Sequence, residues 1–135
     1  MGFVLKAQGR YEPAQEHYGE ALSIFRALGD LVGQGMVLGN LAELQRVSGR
    51  PAQAVQTFSE ALAVIRDAGD RNAEAEALWN LGYALHALGQ RDQARAQWEQ
   101  AVSVLQEMRA LTAAEGAAIL NDPVPDLPAP LRQSS

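Results

Sequence analysis

A chain of 135 residues that is 47% hydrophobic and 20% charged has the length of one domain and enough apolar residues to build a core. It has no cysteine, which excludes a disulfide framework and a thiolate metal site. Its net charge of −5 argues against direct binding of nucleic acid or an anionic membrane, since both need clustered cations, and no stretch approaches the roughly 18 apolar residues of a membrane span.

In chain order, Met1 to Gln8 reads as the end of a helix that stops at Gly9. Tyr11 to Leu28 reads as a second helix, with Pro13 in its first turn and Ala14, Tyr18, Ala21, Leu22 and Phe25 on one face. Gly29 closes it, and Asp30 is the expected N-cap of the next helix. Met36, Val37, Leu41, Leu44 and Val47 form that helix's expected apolar stripe. Gly33, Gly35 and Gly39 fall inside it, where each costs about 1 kcal/mol relative to alanine. With no strand before them, close helix packing explains them better than a phosphate loop. Ser48-Gly49-Arg50-Pro51 breaks the run. The following helix carries Ala54, Val55, Phe58, Ala61, Leu62 and Ile65 and ends at Gly69-Asp70. Ala75, Leu78, Leu81, Leu85 and Leu88 mark the next helix, Gly89-Gln90 the next turn, and Ala94, Trp98, Ala101, Val102 and Leu105 the helix after it, fading near Arg109. Residues 110–120 suit a short capping helix. Residues 121–135 hold Pro123, Pro125, Pro128 and Pro130 and read as a disordered, proline-rich tail.

These elements recur every 40 residues, as in Gly9, Gly49 and Gly89, or Tyr18, Phe58 and Trp98, or Asn40-Leu41 and Asn80-Leu81. A period of 20–50 residues marks a stacked array whose units bury their apolar faces against each other. Trp79-Asn80-Leu81-Gly82-Tyr83-Ala84-Leu85, then Gly89, Ala94, Trp98 and Ala101, resembles the tetratricopeptide repeat. The family's usual repeat is about 34 residues. The longer period here is similar to a variant in signalling scaffolds and in bacterial transcriptional regulators and signalling ATPases. The resemblance implies an all-α, right-handed superhelical solenoid of antiparallel helix pairs over residues 1–109. Its units would be 1–28, incomplete, then 29–68 and 69–109. Met1 falls in mid-helix by this register, so the chain is expected to be a fragment of a longer solenoid or to carry a misplaced start.

The sequence holds no nucleotide-binding or nucleophile motif. His17 and His86 stand apart, without partners at metal-ligand spacing. No enzyme activity, cofactor, metal or catalytic residue is therefore expected. With no signal peptide or membrane span in the sequence, a cytoplasmic protein is expected, and the resemblance implies a protein–protein interaction module, in which the first helices of successive units line a concave groove for a peptide or partner helix. Candidate groove residues are Asn40, Glu43, Arg46, Glu76, Trp79, Asn80, Tyr83 and His86. An asparagine amide both donates and accepts, and so can pair with a peptide unit. Phe3 and Lys6 extend these columns one unit earlier. Glu43 and Glu76 at the groove centre make capture of an acidic C-terminus a poor fit and a mixed-charge or amphipathic peptide a better one. The alternatives are a sensory or autoinhibitory segment of a bacterial transcriptional regulator or signalling ATPase, and an accessory domain of an enzyme. The incomplete N-terminal end would leave Tyr18, Leu22 and Phe25 partly bare, which suits a homodimer through that end.

Overall fold

The computed structural model describes the backbone of residues 2–132 and the side chains of residues 11–132. Its helices are α1 (Gly2–Leu28), α2 (Leu31–Val47), α3 (Pro51–Ala68), α4 (Arg71–Ala87), α5 (Arg91–Glu107), α6 (Ala113–Leu120) and α7 (Ala129–Arg132). α2 and α4 begin alike. Oδ1 of Asp30 accepts from the Gly33 N–H at 2.9 Å, and Oδ1 of Asp70 from the Ala73 N–H at 3.1 Å. Just before each cap, Gly29 (φ 68°) and Gly69 (φ 73°) take the left-handed conformation that reverses the chain. The next N–H then reaches back across the turn, Asp30 to the Phe25 carbonyl at 3.0 Å and Asp70 to that of Ile65 at 3.3 Å. Pro51 opens α3, where its missing N–H leaves no bond unmade.

Helices adjacent in sequence pack on one another from α1 through α6, and α2 also touches α4. Contact mostly between neighbours is what makes a solenoid nearly one-dimensional. The second helices bury the stripes their sequences show. Ala94, Trp98, Ala101, Val102 and Leu105 of α5 are all buried, as are Ala54, Phe58, Ala61, Leu62 and Ile65 of α3, with Val55 half-buried. In α4, Ala75, Leu78, Leu81 and Leu85 are buried, while Leu88 at the turn is exposed.

α2 departs from its expected stripe. Val37 is buried as expected and Leu41 and Leu44 are half-buried, but Met36 and Val47 are exposed, and Leu38 and Ala42 are buried in their place. The glycines explain the rotation. A Cβ on Gly33 would lie 2.5 Å from Phe25 Cδ1, and one on Gly35 2.7 Å from Ile65 Cγ1. The α1 and α3 side chains thus rest on bare α2 backbone, and the buried face turns towards the glycines. Gly39 has open space where its side chain would be, so close packing does not account for it.

The N-terminal turn expected at Gly9 is absent, since α1 runs unbroken from Gly2 to Leu28 with Pro13 inside it. Farther along α1, Leu22 is buried rather than partly bare, while Tyr18 and Phe25 keep the part exposure expected of them, and none of the three is mostly exposed. Ile24 (59% exposed) and Leu28 (73%) are.

The C-terminal end also differs. Arg109 stands one period after Gly69 and keeps the same reversal, with φ 61° and the Ala110 N–H donating to the Leu105 carbonyl at 2.8 Å. α6 follows behind a Thr112–Glu115 capping box and packs on α5. The segment expected to be a disordered tail does not stay in solvent over its described part. Pro125, Pro128 and Leu131 are buried, and α7 packs on α4. Proline at this density limits helix to the single turn of α7 but does not prevent burial, and Leu127 and Leu131 add an apolar face that the core takes up.

Candidate peptide-binding groove

Glu76, Asn80 and Tyr83 are spaced i, i+4, i+7 and so share one face of α4. Where this face meets α2 there is a cleft of ≈ 340 Å³. Asn40 and Glu43 of α2 and Glu76 and Asn80 of α4 line it together, with Leu31, Val32 and Met36 along one wall and Phe58 and Ile65 at the base. The two asparagines come from equivalent positions of successive units, so the repeat itself brings them to one cleft. Asn40 is exposed and Asn80 half-buried.

The other four candidates gather one turn further along. Arg46 forms a two-pronged ion pair with Glu43, Nη2 to Oε1 at 2.5 Å and Nε to Oε2 at 3.1 Å. Its guanidinium carbon also lies 5.5 Å from the centre of the Tyr83 ring, which ties α2 to α4 by a cation–π contact. Tyr83 packs edge-on to Trp98 at 5.7 Å between ring centres, and the His86 ring lies 6.2 Å from Trp98. Trp79 is not a groove wall. It is 0% exposed, 6.0 Å from Trp98, and its carbonyl accepts from Trp98 Nε1 at 3.1 Å. Its indole N–H donates to the Tyr83 hydroxyl at 3.0 Å. Trp79 therefore acts on the surface through Tyr83. Phe3 and Lys6 lie outside the residues whose side chains are described.

The Tyr83 hydroxyl in turn donates to the Pro125 carbonyl at 2.7 Å. Burial pushes this phenol above its ordinary value and the charge of Asp126 adds to the rise, while the Trp79 bond and the charges of Arg46 and Arg132 pull against it. The group thus stays a donor through neutral pH and loses that role only in alkali. Pro125 and Leu131 are the residues of this region that sequence reasoning missed. The available signal was the Leu127-x-x-x-Leu131 spacing beside the prolines, an apolar pair one helical turn apart.

The described residues contain no cluster of three or more His, Cys, Asp or Glu able to hold a metal ion, and no helix among them is long and apolar enough to cross a membrane. What the face offers is amide hydrogen bonding, carboxylates, one paired guanidinium and apolar wall, which is the chemistry of recognition. The fold is that of a helical-repeat solenoid. The tetratricopeptide repeat family model matches residues 1–67 and 33–107, and the chain belongs to that family. Repeats of this family generally mediate protein–protein interaction and are typically non-catalytic. No characterised protein sequence matches the chain.

Proposed function

We propose that the cleft between α2 and α4 captures an extended or helical segment of a protein partner. The observation that carries this reading is that Asn40 and Asn80 line one cleft from equivalent positions of successive units. Their amides are suited to pair with main-chain N–H and C=O groups of a peptide, which gives hold without sequence preference. Selectivity then falls to the walls. Leu31, Val32 and Met36 favour apolar side chains, and the residues lining the cleft include Glu43, Asp70 and Glu76 but no Lys or Arg, a net negative lining that favours a basic residue in the peptide. Arg46 already pairs with Glu43, which weakens any attraction for an acidic peptide.

Selection of random peptides against the full chain provides the test. Selected peptides are expected to combine apolar and basic residues, and the Asn40→Ala/Asn80→Ala variant to bind them about tenfold or more weakly with helicity unchanged, from two lost hydrogen bonds. Equal affinity for the variant would sink the groove assignment. A second copy of the chain is the partner proposed for the α1 end, on the strength of exposed Ile24 and Leu28.

A further inference from the structure

The face that carries the cleft has a second half, around Tyr83, and the chain's own C-terminal segment fills it. We propose that residues 122–132 are a tethered peptide held in a proline-peptide site on α4, and that this segment must leave before a partner peptide of the same chemistry can bind there. The proposal rests on the reading that this face captures peptides, and it names the peptide class for the Tyr83 end.

The geometry is that of a bound peptide. Pro125 has no N–H, so its burial leaves no backbone donor unpaired, and its carbonyl takes the Tyr83 hydroxyl. A hydroxyl meeting a main-chain carbonyl beside aromatic rings is how proline-containing segments are held in aromatic-lined grooves. Leu131 is the second anchor, 1% exposed and part of the same apolar cluster as Trp79 and Trp98. Between the anchors the Pro128 carbonyl accepts from the Leu131 N–H at 2.9 Å, and the Leu127 carbonyl accepts from Arg132 Nε at 2.7 Å. Before them, the Val124 N–H donates to Asp122 Oδ1 at 3.1 Å. Asp122, Val124, Asp126 and Ala129 face solvent.

The tether explains how so few anchors hold. Asp122 follows α6 almost directly, and α6 is seated on α5 through Gly116, where a Cβ would lie 2.7 Å from Val102 Cγ1. A segment fixed that closely has an effective concentration on the order of millimolar. Contacts too weak to hold a free peptide at micromolar concentration therefore keep the site closed in cis. Tyr83 also connects the two halves of the face, because Arg46 lies over its ring and reaches to Glu43 in the cleft.

The test uses the full chain and a synthetic peptide spanning Asp122–Arg132. Leu131→Asp puts a charge where the second anchor is buried. We expect hydrogen exchange over residues 124–132 to rise, helicity of α2–α5 to persist, and tryptophan emission to shift red, since both tryptophans of the chain are at this site. The labelled peptide should bind the variant and bind the wild type at least about tenfold more weakly, because only the wild type carries a competing tethered copy. Adding Tyr83→Phe to Leu131→Asp should weaken the peptide about fivefold, the worth of one neutral hydrogen bond. Leu131→Ala repeats the measurement with a milder change. Peptide binding to neither variant, or equally to wild type and variants, would overturn the proposal. So would cooperative loss of α4 and α5 helicity in both, which would make the segment part of the core. None of these readings depends on Asn40 or Asn80, so a failure here is separable from a failure of the cleft.

Discussion

Gly82 shows how one ring dictates its neighbour. A Cβ there would sit 2.2 Å from Trp98 Nε1 and 2.6 Å from its Cδ1. The indole cannot retreat easily, being buried and bonded to the Trp79 carbonyl. One period earlier the pair is Ala42 and Phe58, both buried. The smaller ring coexists with a methyl group and the larger one requires glycine. Gly82→Ala is therefore expected to destabilise the protein by about 1–3 kcal/mol despite alanine's better helix propensity. Trp98→Phe in the same molecule should restore part of the loss, with a coupling of about 1–2 kcal/mol in a double-mutant cycle read by chemical denaturation. Strict additivity would show that the ring does not set the size limit. Phe58 and Trp98 were legible in the sequence as one repeated column, but that the Trp98 ring lies against Gly82 needed the distances.

Among the elements, α6 shows a fold signal continuing where side-chain similarity stops. Arg109 holds the left-handed turn without glycine, at a steric cost of about 1–2 kcal/mol, because the turn closes the bonds from Ala110 and Leu111 back to Leu105. The helix is then held by its capping box. Glu115 N–H donates to Thr112 Oγ1 at 3.1 Å, and Thr112 N–H donates to Glu115 Oε1 at 2.8 Å. The backbone bond from Thr112, and then its side-chain bond, hold the Glu115 carboxyl below its ordinary value. A depressed carboxylate contributes stability that is present above the unfolded value and lost as pH falls through the folded one. The start of α6 should accordingly hold at neutral pH and fray as the pH falls below the ordinary carboxylate range, about pH 4.5, seen as chemical-shift changes over Ala113–Leu120. Thr112→Ala should fray it already at neutral pH. A start of α6 indifferent to both would mean that packing on α5 alone holds it.

For the whole molecule, stacking in one direction leaves each end with a problem that the middle does not have. The C-terminal end is closed by α6 and the returning segment over α4. At the other end α1 lies on α2 and presents Ile24 and Leu28 outward, next along the chain to exposed Leu31 and Val32. If a second copy covers this surface, light scattering should show a mass that rises with concentration, and Ile24→Asp/Leu28→Asp should abolish the rise without loss of helicity. A wild-type protein that stays strictly monomeric at high concentration would remove the homodimer from consideration. Helical spacing already set the Tyr18, Leu22 and Phe25 stripe apart from Ile24 and Leu28, but only the packing of α1 on α2 decided which of these residues are covered and how far.

The amino-acid sequence by itself determined the helical repeat, the turns at Gly29, Gly49, Gly69 and Gly89, the aspartate caps and the buried faces of α3 and α5. Each of these is local, since a cap, a turn or a 3.6-residue stripe is written within a few neighbouring residues. The asparagine columns were legible for the same reason, as positions repeated in phase. Only the tertiary structure decided which face of α2 is buried, that Trp79 supports Tyr83 from inside, and that Pro125 and Leu131 close over α4. Those outcomes depend on how closely two backbones approach and on which apolar surface remains open after the helices have stacked, quantities that distant residues set jointly and that no local pattern encodes.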